Sequence, residues 1–206
     1  MKRTFDILAA SLVLIILFPV YALIALLVRW KLGSPVLFRQ ERAGLNGKPF
    51  MMYKFRSMTN DRDEQGKLFS DHERVHALGR FLRSSSLDEL PELWNVIRGE
   101  MSLVGPRPLF VAYLPYYTET EARRHEVRPG LTGLAQVSGR NSLQWDERLA
   151  MDVQYVQERS WWMDAKILFA TVLKVITKQD VDVVTGGNRR LDDLRRKSSN
   201  GPGEVK

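Results

Sequence analysis

The chain has 206 residues, 44% of them hydrophobic, enough to bury one sizeable core, so a single soluble domain with attachments is expected. Its formal charge of +7 and pI near 9.8 imply an acidic partner such as anionic lipid, nucleotide or nucleic acid. The lack of cysteine excludes disulfides, a thiolate nucleophile and cysteine-based zinc or iron–sulfur sites.

Ile7 to Val28 carries no charge over 22 positions. As an α-helix it would measure roughly 33 Å, enough to cross a bilayer core. A cleaved signal peptide fits poorly, because Arg29-Trp30-Lys31 stands where small residues at a cleavage site belong. Lys2 and Arg3 precede the segment while Arg29 and Lys31 follow it, so positive charge does not favour either end. Pro19 kinks the middle. Both observations suit a bent re-entrant hairpin that returns to the face it left; a proline-kinked spanning anchor is the alternative.

Next, Pro35–Phe38 and Phe50–Tyr53 flank Gly44-Leu45-Asn46-Gly47-Lys48. Asn46-Gly47 favours a tight turn, because both residue types tolerate positive φ, so a β-hairpin is predicted. Its arms carry Arg39, Arg42, Lys54 and Arg56, which suit either a solvated strand face or a ligand. Thr59 to Ser70 is polar and aperiodic and is predicted to be an exposed loop. His72-Glu73-Arg74-Val75-His76 then matches the HExxH zinc-protease pattern, in which two histidines on one helix face bind the metal. Nothing downstream supplies a recognisable third ligand, and a chance match on an exposed helix is the competing reading.

Ser84 to Leu109 is the most informative stretch. Asp88 and Glu89 precede an apolar helical run that ends in the stiff turn Pro106-Arg107-Pro108. Ser86 and Glu89 fit an S-x-x-E capping box, and Asp88 suits a helix N-terminus through the dipole, so both acids have a structural reading. The functional reading makes Asp88 a nucleophile toward phosphorus and Glu89 a ligand for Mg²⁺ bridging phosphate oxygens. Arg83 lies five residues before Asp88, Arg107 sits between two prolines and Arg140 follows a glycine, and the planar guanidinium suits phosphate. Arg128 to Asn141 is glycine-rich and reads as a loop that lets backbone approach a ligand. Asp152 to Lys178 is predicted to be one amphipathic helix opened by Trp161-Trp162, suited to a membrane interface or a core. From Gly186 onward the chain is polar and charged, and a mobile tail is expected.

These residues carry a resemblance. Lys2–Asp6, Pro35–Gly47, Tyr53–Met58, Gly79–Pro108 and Arg128–Asn141 together resemble the small monotopic bacterial phosphoglycosyl transferases, the bacterial sugar transferase family, over about residues 1 to 178. The resemblance implies an α+β chain: a re-entrant membrane helix (1–31), a compact cytosolic catalytic domain of helices plus a small β-hairpin with amphipathic interfacial helices (32–180), and a polar tail (181–206). It implies transfer of a sugar-1-phosphate from a UDP-sugar to a polyprenol phosphate such as undecaprenyl phosphate, with release of UMP, at the bacterial inner membrane and facing the cytoplasm. By the same carry-over Asp88 is the nucleophile and Glu89 its partner, both near Mg²⁺. Lys54, Arg83, Arg107 and Arg140 contact phosphates or nucleotide. Glu92 stands where glutamine is common, Glu100 where aspartate is, and Phe18 where a small residue often precedes the proline. Membrane lipid is an implied partner and nucleic acid is not; the sugar and any homo-oligomer stay open. The two competing classes are a tethered nucleic-acid binder and the zinc protease.

Overall fold

The computed structural model describes residues 1–139, 143–177 and 190–199. Helices α1 (Lys2–Ile16) and α2 (Phe18–Lys31) meet at Leu17 with a bend of 65°. Pro19 lies in the first turn of α2, where its missing N–H is tolerated but its ring bars a straight continuation from α1. Among the described residues no single helix is long and apolar enough to cross a membrane; this bent pair passes that test jointly, by length and composition. Leu8, Leu12, Ile15, Ile16, Phe18 and Leu26 on it are exposed.

Both outer ends of the pair are tied to the same domain. Lys2 Nζ donates to the Val104 carbonyl (3.2 Å) and the Tyr155 hydroxyl (3.0 Å) and pairs with Asp164. Buried Asp6 accepts from the Ser102 hydroxyl at 2.8 Å. At the far end, Arg56 donates to the carbonyls of Leu32 (2.5 Å) and Ser34 (2.9 Å). The predicted hairpin is present: β1 (Leu37–Ala43) and β2 (Pro49–Phe55) run antiparallel, with Leu37 opposite Phe55 and Ala43 opposite Pro49. Asn46 (φ 54°) and Gly47 (φ 71°) make its turn, as that residue pair predicts.

The loop of residues 59–70 is largely exposed and folds around Asp63, whose Oδ1 accepts from the N–H groups of Gln65 (3.0 Å) and Lys67 (2.8 Å). Ser70 and Glu73 form a reciprocal capping box on the one-turn helix α3 (Asp71–Arg74). Extended Val75 then breaks the helix, and His76 stands at the N-cap position of α4 (Ala77–Ser84). His72 and His76 therefore do not share a helix face. Among the described residues no group of three or more histidine, aspartate and glutamate side chains is placed to hold a metal, which removes the zinc-protease reading.

Helix α5 (Glu92–Arg98) packs Leu93 and Val96 with Ala10 of α1, Met101, Tyr155 and Ile167 in the main core. Strand β3 (Ser102–Val104) follows, then α6 (Glu119–Ala122), then β4 (Gly130–Thr132) parallel to β3, then α7 (Leu134–Ser138). The helix predicted over Asp152–Lys178 is instead two: α8 (Trp145–Glu158) and α9 (Trp161–Thr177); Lys178 lies outside the described residues. Ser160 makes the break, its hydroxyl accepting from the Met163 N–H at 3.2 Å as an N-cap. Trp162, Phe169, Val172 and Ile176 leave an apolar face of α9 exposed. The architecture is thus mixed, helices around two small two-stranded sheets. The described part of the expected mobile tail also departs from the sequence reading. It forms α10 (Leu191–Ser199), because Leu191 is buried among Leu109, Tyr113, Trp145 and Leu149.

Candidate active site

A cavity of about 1230 Å³ is lined from the hairpin, the connection between α4 and α5, the Pro108–Phe110 segment and α8. Asp88, Glu89, Lys54, Arg83 and Arg107 all line it. Arg140 lies outside the described residues.

Local structure explains the placement. Ser86 adopts the left-handed region (φ 55°) and Leu87–Glu89 follow as a single 3₁₀ turn. Leu87 and Leu90 pack beside Phe55 and Leu82, and Asp88 and Glu89 line the cavity. Glu89 does not cap Ser86, contrary to the S-x-x-E pattern. Its Oε1 accepts from Lys54 Nζ (2.6 Å) and Arg107 Nη2 (2.7 Å), since a desolvated carboxylate gains more from two cations than from one backbone N–H. Lys54 also lies 3.1 Å from Glu92 Oε1, an ion pair without hydrogen-bond alignment.

Arg83 donates from Nε to the Ser57 hydroxyl at 3.0 Å. Gly79, one turn earlier, lets α4 press on that residue: a Cβ at Gly79 would lie 1.9 Å from the Ser57 carbonyl oxygen. Arg107 is placed through its backbone. The Gly105 N–H donates to the Thr132 carbonyl and the Gly130 N–H to the Pro106 carbonyl, both at 2.9 Å. Arg124 Nη2 donates to the Arg107 carbonyl at 2.6 Å, and Arg124 is itself held by Asp152 Oδ2 at 2.7 and 3.0 Å.

Three carboxylates thus share two cations, and their charges separate accordingly. Burial alone would raise Glu89, but Arg107 and Lys54 outweigh it and hold Glu89 well below the usual carboxylate range. Burial, then the Glu89 charge, pushes Asp88 up to about 6 despite Lys54, Arg107 and Arg83. Burial likewise lifts Glu92 to about 7. Glu89 therefore anchors the two cations, and Asp88, which takes no hydrogen bond from any described residue, is the carboxylate left facing the cavity. A magnesium ion sharing its shell with substrate phosphate needs only one or two protein carboxylates. Asp88 and the Oε2 of Glu89, the oxygen that neither cation engages, fit that requirement.

Sequence reasoning noted Glu92 without giving it a role in the site, and missed Arg124 and Asp152. Glu92 left a faint signal, three residues after a carboxylate pair; the other two sit in ordinary helical runs and meet only through tertiary packing. His125, beside Arg124, donates from Nδ1 to the Gly44 carbonyl (3.2 Å) and has a buried Nε2 without a partner among the described residues. Burial and then the Arg124 charge lower it to about 4, below its ordinary 6.5. The unfolded chain therefore binds a proton first, and stability is lost as pH falls from about 6.5 to about 4. Asp88 and Glu92 titrate in the opposite sense, so the effect is read against His125→Gln: from pH 6.5 to 4 the stability of the wild type relative to that variant should fall by about 3 kcal/mol in thermal unfolding.

The family model described as bacterial sugar transferase matches residues 1–178. The chain belongs to the bacterial sugar transferase family. Among relatives, this family member is 50% identical over 181 residues to the uncharacterized sugar transferase EpsL of Bacillus subtilis, covering 88% of this chain and 90% of that one. It is 43% identical over 186 residues to a UDP-glucose:undecaprenyl-phosphate glucose-1-phosphate transferase of Caulobacter vibrioides, covering 85% and 70%. It is 41% identical over 197 residues to an undecaprenyl-phosphate galactose phosphotransferase of Salmonella typhimurium, covering 87% of this chain but only 41% of that longer one.

Proposed function

We propose that the chain transfers a sugar-1-phosphate from a UDP-sugar to a polyprenol phosphate, undecaprenyl phosphate in particular, and releases UMP. The observation that carries this reading is Asp88: a carboxylate that takes no hydrogen bond from any described residue, lining a cavity where Lys54, Arg83 and Arg107 supply positive charge. In the first step an Asp88 oxygen attacks the sugar-bearing phosphorus. The bond from that phosphorus to the bridging oxygen breaks, and UMP leaves with the electron pair. In the second step a phosphate oxygen of the polyprenol attacks the same phosphorus, the Asp88–phosphorus bond breaks, and the carboxylate is restored. Two substrates thus use one carboxylate in turn, and ping-pong kinetics follow.

Glu89 keeps Lys54 and Arg107 fixed in the site, so their charge is in place before phosphate arrives. Magnesium, held by Asp88 and Glu89, would neutralise charge on the donor's diphosphate. The bent α1–α2 pair supports a re-entrant anchor: its apolar bend is exposed, while Lys2, Asp6 and the residues after Lys31 are bound to one domain. The exposed apolar face of α9 suits the same interface; in this reading the site works at the cytoplasmic face of the inner membrane.

The test is UMP release by the full chain in nanodiscs with Mg²⁺, undecaprenyl phosphate and a panel of UDP-sugars. Release with one sugar, dependent on the lipid phosphate, is the expected result and names the donor. Silence across the panel would sink the reading. The relatives' names include both glucose and galactose phosphate transfer, so both donors belong in the panel.

A further inference from the structure

The family match ends at residue 178, but the cavity wall does not. Arg190 lines the same cavity as Asp88 and Arg107. Its guanidinium stands 5.3 Å from the ring centroid of Phe110, and Arg42 stands 3.7 Å from that same ring. The segment that brings Arg190 there is firmly seated. Leu191 is 1% exposed. Four residues on, Arg195 donates from Nη1 and Nη2 to the two carboxylate oxygens of Glu121, each at 2.6 Å, and from Nη1 to the Tyr116 carbonyl at 2.6 Å. Asp192 pairs with Arg190 at 3.1 Å and steadies the guanidinium from its own helix.

The cavity also has two chemically distinct ends. One is the lip from Ser34 to Phe38, directly after α2, whose apolar residues Ile24, Val28 and Leu32 pack with Phe55 and Leu82. The other is built from Phe110, Trp145, Arg42, Arg148 and Arg190, beside the separate cluster that buries Leu191. The first end adjoins the apolar helices and so suits a prenyl chain. The second end offers guanidinium groups and ring faces, the chemistry that holds a diphosphate and a base.

We propose that Arg190 is a donor-binding residue, carried to the cavity by the C-terminal segment to bind the nucleotide half of the UDP-sugar. This rests on the donor reading above. Residues beyond the family match thereby take part in holding the substrate, and substitutions in this segment change donor affinity.

The experiment compares wild type with Arg190→Ala in nanodiscs, measuring KM for donor and for undecaprenyl phosphate separately, together with direct calorimetric binding of UDP. Arg190→Ala leaves Leu191 and Arg195 in place, so α10 stays seated. The expected result is a donor KM and a UDP dissociation constant both raised about tenfold, the scale of one lost charge-assisted phosphate contact, with the acceptor KM unchanged. Arg190→Lys should recover part of the loss. Unchanged donor KM and UDP affinity would overturn the inference, as would a rise confined to the acceptor. A wild-type chain that neither binds UDP nor releases UMP would instead sink the donor reading, and this inference with it.

Discussion

Asp88→Asn should lower UMP release by about 10⁴-fold or more while leaving the fold as stable as before, or more so. The first half follows from chemistry: an amide of the same size cannot form the phosphoryl bond, and losses of this scale accompany removal of a covalent nucleophile. The second half follows from electrostatics. Burial and Glu89 raise the folded-state Asp88 to about 6 from 3.8, so the folded chain holds this proton more tightly than the unfolded chain does. Its contribution to stability is greatest in acid and is lost as pH rises from about 4 to about 6. At neutral pH the ionised carboxylate therefore costs on the order of 1–3 kcal/mol, which asparagine removes. Thermal unfolding at pH 7 in the presence of a chelator, set beside UMP release, separates the outcomes. A dead, undiminished fold marks a reacting group; a dead, weakened one marks a structural residue; an active variant ends the proposal.

What could be read from the sequence was what local signals specify. Pro19 marked the bend and Asn46-Gly47 the hairpin, because each acts on its own backbone. The pattern S-x-x-E occurs at Ser70–Glu73 and again at Ser86–Glu89, and only the first is a cap. The difference is not in the four residues. It lies in Lys54 and Arg107, which reach Glu89 from 35 residues before and 18 after and take its carboxylate for the site. The HExxH letters failed for a related reason: Val75 is extended, so residues that spacing places on one helix face stand on two separate elements. Ser160, with neither glycine nor proline beside it, gave little notice that one predicted helix would become two. The grouping of Asp88, Glu89, Lys54, Arg83 and Arg107 was anticipated through resemblance and composition. The bonds that aim them are long-range contacts, and no periodicity encodes those.

The Arg124–Asp152 pair is the clearest of these contacts, and breaking it should produce the largest stability loss in the chain. Both residues are 2% exposed, and Arg124 sends Nε and Nη2 to one carboxylate oxygen while Nη2 also holds the Arg107 carbonyl. Burial pushes the Asp152 carboxyl up, and Arg124 only partly offsets it, so the pair exists at the expense of two desolvated charges. Asp152→Ala leaves a guanidinium buried without its counter-charge, which costs about 3–5 kcal/mol. The double variant Arg124→Met, Asp152→Leu removes both charges and should recover most of that stability, since well-packed apolar replacements of buried ion pairs are often neutral or better. It should not recover turnover. With Arg124 gone, the Arg107 carbonyl loses the bond from Nη2, and the guanidinium that Glu89 holds loses its placement. Denaturant unfolding and UMP release on the single and double variants give the answer. Stability restored with transfer still impaired assigns the pair to positioning Arg107, whereas recovery of both together would reduce it to a structural contact.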